Sequence, residues 1–237
     1  MRILGVLNYI RENLDSSLAY RYSCRYKRCG ACAIMVNGEP KLACYESAEE
    51  KMVIEPLANF PVIRDLVVDR GSYDAITERM DLSLHRSKLP DFPERIPVSE
   101  HLKLYQLDRC LECLACVSAC PKYGEGKGFA GPAALVQLAR FQLDPRDELD
   151  RTKQIIGTHI EECGSCGDCQ RACPENIPVL TVAIDELRDT LVKEGVYYIR
   201  WWSFIRRMPI WVRSLVKCKL GLTSGEHFRV DRDWSKQ

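Results

Sequence analysis

Twelve of the thirteen cysteines in this 237-residue chain stand in three groups whose tight spacing suits metal ligation better than disulfides. Cys24, Cys29 and Cys32, followed by a distant Cys44, have the C-x4-C-x2-C spacing that holds a [2Fe-2S] centre. Cys110, Cys113, Cys116 and Cys120 with Pro121, and then Cys163, Cys166, Cys169 and Cys173 with Pro174, each read C-x2-C-x2-C-x3-C-P, a run that holds cubane [4Fe-4S] centres. Iron needs soft anionic sulfur, and a short loop lets several thiolates converge while backbone N–H groups point at the bound group.

Where such runs come in pairs, the fourth cysteine of each ligates the other cluster. On that rule Cys110, Cys113, Cys116 and Cys173 hold one [4Fe-4S] centre, and Cys120, Cys163, Cys166 and Cys169 hold a second. Cross-ligation staples the runs together, so cluster assembly and folding of this part of the chain are expected to be linked. In the first group, Gly30 permits close approach of backbone. Arg21, Arg25, Lys27 and Arg28 add positive charge beside a centre that is formally dianionic when oxidised, which is expected to raise its reduction potential. The competing chemistry is zinc. Structural zinc prefers paired C-x2-C halves, which the first group lacks, and a Cys-Pro ending has no role at a zinc site.

Several elements must position these loops. Ile3, Leu4, Leu7, Ile10 and Leu14 recur with a helical period, which predicts a helix over Ile3–Asn13 before the first loop. Beyond it, Ala33–Val36, the Asn37-Gly38 turn and Lys41–Cys44 predict a hairpin, with a third strand at Met52–Glu55. Pro90, Pro93 and Pro97 mark a link, and the domain boundary is placed near residue 97. In the second half each cysteine run leads into a helix, at Ala133–Gln142 after Gly131-Pro132 and at about Val179–Lys193 before Gly195. Two runs each followed by a helix form a degenerate internal repeat, the pattern of a small helical ferredoxin-like domain.

Composition narrows the rest. A hydrophobic content of 46% is ample for ordinary cores, and a net charge of +1 gives no global attraction to nucleic acid. The opening residues do not read as a secretory signal, so a reducing cytosol is expected. No apolar stretch approaches the roughly 20 residues that cross a bilayer. Membrane contact is therefore expected to be peripheral or through another subunit. His85, His101, His159 and His227 show no paired metal spacing. Gly124, Gly126, Gly128 and Gly131 imitate a nucleotide-binding fingerprint but follow a cysteine loop rather than a strand.

Longer strings carry a family resemblance. Tyr22-Ser23-Cys24-Arg25 through Cys29-Gly30-Ala31-Cys32, Pro40-Lys41-Leu42-Ala43-Cys44, the run from Phe60-Pro61 to Val68-Asp69, and Gly131-Pro132-Ala133-Ala134 closely resemble the iron-sulfur subunit of succinate dehydrogenase and fumarate reductase. The resemblance covers about residues 1 to 190. It implies a subunit relaying electrons between an FAD-containing partner, where succinate and fumarate interconvert, and a quinone-reactive membrane anchor. The [2Fe-2S] centre would face the flavoprotein.

Three departures qualify it. Typical members have a non-cysteine at the position of Cys166 and carry a [3Fe-4S] centre nearest the quinone. Here a fourth thiolate is present, so a second [4Fe-4S] cluster is expected, with [3Fe-4S] the alternative if Cys166 points away. That resembles the branch whose partner is a cysteine-rich, heterodisulfide-reductase-like subunit, and also thiol-dependent fumarate reductases. Members that build a quinone pocket from this subunit often place a tryptophan after the first run and a histidine after the first cysteine of the second. Glu125 and Gly164 stand there, so quinone contact through those side chains is not expected. Finally, the family's ferredoxin domain opens with a two-stranded hairpin, whereas Met1 already lies at the following helix. Either the sequence is truncated relative to the family, or a partner chain covers the open sheet edge.

From Tyr197 to Leu220 the chain is rich in aromatics and arginine. At about 100° per residue, Trp201, Phe204, Ile205, Met208, Trp211, Val212 and Leu215 share one face, with Arg206, Arg213 and Lys217 opposite. Such a segment docks on a partner, lies on a membrane surface, or packs on its own domain. Cys218 belongs to no ligand pattern. The expected fold is α+β, with a plant-type, β-grasp-like ferredoxin domain (1–97) lacking its first hairpin, an all-α two-cluster domain (98–195) and an amphipathic tail (196–237). The expected function is electron transfer at the cytoplasmic face of a membrane, between an FAD subunit and a quinone- or thiol-reactive subunit. No flavin, nicotinamide or substrate site is visible, so no catalytic residue is assigned. A free-standing multi-cluster ferredoxin remains the rival from another class.

Overall fold

The structure, a computed structural model, describes residues 1–88, 94–124 and 128–195. Pro90, Pro93, Glu125, Gly126, Cys218, His227 and the whole segment 196–237 lie outside the described residues. By its contacts the chain divides after Glu194, and Met1–Glu194 is one compact unit that contains all three cysteine groups.

Helix α1 (Ile3–Asn13) forms where the apolar spacing puts it and buries Ile3, Leu4 and Leu7. Its first turn is anchored, because the amides of Ile3 and Leu4 donate to the carbonyls of Glu46 (3.1 Å) and Ala43 (2.8 Å) on either side of Cys44. Strands β1 (Ala33–Val36) and β2 (Glu39–Leu42) make the hairpin, with Asn37 (φ 52°) and Gly38 (φ 79°) supplying the two positive-φ residues of its turn. A two-residue turn fixes Val36 opposite Glu39, so β2 starts and stops two residues earlier than its apolar end at Leu42-Ala43-Cys44 indicates. β3 (Ile54–Glu55), shorter than the expected Met52–Glu55, pairs antiparallel with the other edge of β1, giving the order β2-β1-β3. All four residues of central β1 are buried.

A second antiparallel pair, β4 (Val62–Arg64) and β5 (Val67–Val68), is too short and exposed to leave a sequence signal. It positions the chain entering the first cysteine loop. The Asp65 carboxylate accepts the Ala19 amide (2.8 Å), the Leu66 amide donates to the Ala19 carbonyl (3.1 Å), and the Arg64 guanidinium donates to the Ser17 carbonyl (2.8 Å).

The remaining described elements are helical: α2 (Gly71–Glu78), α3 (Val98–Asp108), α4 (Ala115–Ser118), α5 (Pro132–Gln142), α6 (Thr152–Gly157), a 3-10 turn (Ile160–Glu162), α7 (Asp168–Arg171) and α8 (Asp185–Lys193). α5 is the centre of this half, with every residue from Pro132 to Ala139 buried. Its proline occupies the first turn, where a missing N–H costs nothing. The helix expected over Val179–Lys193 is divided. Val179–Ile184 winds as a π-helix before α8 begins, and that wider period brings Val179 and Ile184 to one buried side, where the segment packs on α5.

The stretch leading to the second half is fastened before it reaches Pro97. Arg151, fully buried, donates to the Asp147 carboxylate (2.6 Å) and to the carbonyls of Asp81 (3.0 Å) and Ser83 (2.7 Å), with the Phe141 ring 5.1 Å from its guanidinium carbon. The Asp147 side chain is 2% exposed, so the pair shares one dry site. Replacing Arg151 by Ala strands a buried carboxylate and is expected to destabilise the fold by about 3–5 kcal/mol, whereas Lys restores only part because it cannot fork to three acceptors. Denaturant unfolding of the cluster-loaded protein, followed by circular dichroism, measures the difference.

Candidate iron-sulfur centres

The first cysteine loop runs from Cys24 to Cys32 and closes against Cys44. Arg25 (φ 63°), Lys27 (φ 59°) and Gly30 (φ 69°) take left-handed backbone, which coils the loop so that its amides turn toward sulfur. The amide of Arg28 donates to Cys24 Sγ (3.2 Å), that of Lys27 to Cys44 Sγ (3.4 Å) and that of Cys24 to Cys29 Sγ (3.5 Å). Cys32 and Cys44 are buried, Cys24 is half-buried and Cys29 is exposed. The amide of Tyr26, helped by those of Arg28 and Cys29, brings the Cys24 thiol down to about 7, while burial drives Cys32 up to about 12. The amide of Ala43 donates to the Cys32 carbonyl (3.0 Å), locking the loop to the end of the hairpin.

The cations singled out in the sequence divide. Arg21, Arg25 and Arg28 are exposed and screened by solvent, with Arg25 lying over the Tyr22 ring (5.2 Å). Lys27 is half-buried, lies over the Tyr45 ring (4.5 Å) and pairs with Glu175 (3.4 Å). The amides of Cys24, Lys27 and Arg28 are the donors that reach these sulfurs directly.

The two later runs have one backbone design. Glu112 (φ 49°) and Leu114 (φ 63°) flank Cys113, and Ser165 (φ 48°) and Gly167 (φ 89°) flank Cys166 at the same offsets. A short helix follows each, α4 and α7, and a turn follows each Cys-Pro, with Tyr123 N–H donating to the Cys120 carbonyl (3.4 Å) and Asn176 N–H to the Cys173 carbonyl (3.0 Å). Cys110 and Cys113 feel the charge of Cys173, and Cys120 and Cys169 feel Cys163 and Cys166, while Cys116 feels Cys169 as well as Cys113, Cys110 and Cys173. Burial raises Cys113 and Cys169 to about 12 and Cys116 well beyond the ordinary thiol range. Cys120, Cys163, Cys166 and Cys169 line one pocket, walled by Phe129, Leu180 and Ile184. Gly164 lies at its rim, with the Lys122 side chain the nearest atoms to where a Cβ would stand (3.8 Å).

The donor set fits iron-sulfur groups. Left-handed loop residues, amides aimed at sulfur and a cavity walled by four thiols are what a thiolate-held anion needs. Among the described residues, no three His, Cys, Asp or Glu side chains close on a position for a single ion. The ligands of a polynuclear group divide among several irons and need no such common point.

Several supporting residues had no place in the sequence reading. Arg188 is buried and its guanidinium holds the third loop, donating to the Cys163 carbonyl (2.9 Å), the Ile160 carbonyl (3.3 Å) and Ser165 Oγ (2.8 Å). An arginine in helical phase with Ile184 and Leu191 was the available signal. Asn59 reaches across from the first half, its amide donating to the carbonyls of Val117 (2.9 Å), Ser118 (3.2 Å) and Cys120 (3.1 Å). The rings of Phe60 and Tyr123 meet beside it at 5.8 Å. Nothing in the sequence announces those contacts.

Residues 1–75 match the family described as a 2Fe-2S iron-sulfur cluster binding domain, and residues 106–177 the family described as a 4Fe-4S dicluster domain. The fumarate reductase iron-sulfur subunit of Haemophilus influenzae is 37% identical over 194 residues, covering 74% of this chain and 76% of that protein. The chain belongs to the family of fumarate reductase and succinate dehydrogenase iron-sulfur subunits. One subunit of the fumarate reductase (CoM/CoB) of Methanothermobacter marburgensis is 36% identical and covers 82% of this chain but 39% of that protein. The chain spans between 39% and 45% of the length of the relatives it matches in Methanococcus maripaludis, Methanocaldococcus jannaschii and Methanothermobacter marburgensis. A chain in the apo Sdh1 complex of Mycobacterium smegmatis aligns with a TM-score of 0.75 over 82% of this chain and 86% of that one, at 24% identity, a likeness of fold. In this iron-sulfur subunit the first matched segment contains the first cysteine group and the second contains the other two. No described helix is long and apolar enough to cross a membrane.

The unequal thiols of the first loop have a measurable consequence. In chain freed of iron by a chelator, Cys24 is expected to alkylate fastest of the buried and half-buried thiols at neutral pH, because its lowered pKa leaves thiolate present above about 7 and lost as pH falls through that value. Cys32 stays protonated and slow over the same range. Mass spectrometry of peptides after timed labelling at several pH values reads both rates.

Proposed function

We propose that this chain is the electron-transfer subunit of a succinate dehydrogenase or fumarate reductase complex. It passes electrons between an FAD-containing partner and a membrane-bound, quinone- or thiol-reactive partner. The observation that supports the proposal is that left-handed residues wind all three cysteine loops, with amides directed at sulfur in the first and Cys120, Cys163, Cys166 and Cys169 lining one pocket. Cys24, Cys29, Cys32 and Cys44 are assigned to a [2Fe-2S] centre, Cys110, Cys113, Cys116 and Cys173 to a [4Fe-4S] centre, and Cys120, Cys163, Cys166 and Cys169 to a third.

Such centres, when bound, take up and give back single electrons without a change of protein structure. The chain's own residues supply the rest. The amides of Lys27 and Arg28 point at Cys44 and Cys24, apolar Phe129, Leu180 and Ile184 wall the third pocket, and Arg188 fixes the carbonyls of its loop. No catalytic residue for succinate or fumarate is assigned to this chain. The chain divides functionally into 1–97, a β-grasp-like domain, 98–195, an all-α two-cluster domain, and 196–237, a tail for partner or membrane contact. The complex lies peripherally on the cytoplasmic face of the membrane.

For the third centre we assign [4Fe-4S]. The support is that Cys166 occupies the backbone position that Cys113 occupies in the other run, and lines the same pocket as Cys120, Cys163 and Cys169. The same fourth thiol, with the likeness to a subunit of a fumarate reductase (CoM/CoB), favours a second reading of the terminal partner as a cysteine-rich thiol-reactive subunit.

Purification from the native source is expected to bring down a flavoprotein, and succinate is expected to bleach the visible absorption of the complex. A chain that purifies alone, with absorption indifferent to succinate and to reduced quinone or thiol, overturns the proposal. Replacing Cys166 by Ala is expected to convert the third centre to one paramagnetic when oxidised, the signature of [3Fe-4S], in low-temperature electron paramagnetic resonance. If wild type already shows that signal and the variant matches it, the [4Fe-4S] assignment falls.

A further inference from the structure

The loop holding Cys29 and Cys32 touches the loop holding Cys110 and Cys113, and it does so backbone to backbone. Gly30 is buried with φ +69°, and a Cβ there would lie 2.6 Å from the Leu111 carbonyl oxygen, 2.8 Å from Cys113 Cβ and 2.9 Å from Cys113 Cα. None of these atoms is the end of a flexible side chain, so even one methyl group would have to move a main chain. Beside the contact, Glu175, two residues beyond Cys173, is gripped from both loops, by Lys27 (3.4 Å) and by Arg109 (3.2 Å), and its side chain is only 17% exposed.

We propose that this seam is a spacing device, with Gly30 as contact point and Glu175 as clasp, that fixes the distance an electron crosses between the first and second centres. The inference rests on the electron-transfer reading above. Tunnelling falls exponentially with distance, so a gap set by bare backbone is the shortest that two loops can share. Gly30 and Glu175 act as positioning residues. An alanine at position 30 wedges the loops apart, and also strains a left-handed residue. Removing the Glu175 charge takes away the anion that Lys27 and Arg109 share and leaves two cations facing one another across the seam.

The test uses full-length chain, in its native complex, purified without oxygen, with iron and sulfide measured per chain. In the fully reduced protein, relaxation of the first centre's paramagnetic signal is expected to be accelerated by the second. Gly30→Ala and Glu175→Gln are each expected to keep their iron and sulfide but lose part of that acceleration, Gly30→Ala the more. Gly38→Ala, equally left-handed but with no atom within 4 Å of the added carbon, is expected to match wild type. If Gly30→Ala cannot load its first centre, Glu175→Gln decides. Unchanged relaxation in Glu175→Gln, together with unchanged relaxation or a lost centre in Gly30→Ala, overturns the device. A loss confined to a fully loaded Gly30→Ala retains the contact point and removes the clasp. Wild-type protein without acid-labile sulfide instead brings down the electron-transfer reading itself.

Discussion

Four sulfur anions cannot share a small buried volume unless something positive arrives with them. Burial drives the thiols of Cys32, Cys113 and Cys169 to about 12, and raises Cys116 well above the ordinary thiol range, so in the folded chain they favour the protonated, neutral form. Iron binding must displace those protons, which makes loading of the centres and completion of the fold a single linked process. The polypeptide lowers the cost with what it has at hand. N–H groups turn inward on left-handed residues, and cationic or amide side chains occupy the carbonyls that this winding pushes outward.

Asn59 and Arg188 do the second of these jobs, and Arg151 does it for the carbonyls of Asp81 and Ser83, away from the sulfurs. Arg188 and Arg151 are buried and Asn59 is exposed, and each joins segments far apart in sequence. Loops with so many left-handed residues cannot satisfy themselves as helices or sheets do, and their orphaned oxygens would be costly to bury. Long side chains with several donors solve that problem in one step. Tyr123 adds a steric lock, since a side chain at Gly131 would collide with its ring at 2.7 Å.

The parts of this architecture visible from sequence are those governed by local periodicity or by chemistry with strict spacing. α1, the Asn37-Gly38 turn and α5 lie where their patterns put them, and Cys120, Cys163, Cys166 and Cys169 line one pocket. What escaped was decided by contacts across long separations. α2 offers one buried residue, Tyr73, and so carries almost no periodic signal. β4 and β5 exist to hold the segment Ser17–Ala19, a role that no local propensity reveals. The switch from π-helix to α-helix at Ile184 answers to the face of α5, and Glu175 looks like any surface acid until Lys27 and Arg109 are seen on either side.

The proposed pairing of Cys173 with Cys110, Cys113 and Cys116 also bears on how such a chain is made. As the polypeptide leaves the ribosome, three sulfurs of one quartet emerge early, and the fourth follows only after α5, α6 and most of the second run. Until then the early three have an open corner that oxygen or a stray metal could claim. A nascent chain of this design therefore gains from iron that arrives late, and a stop codon anywhere before residue 170 would take ligands from both centres at once.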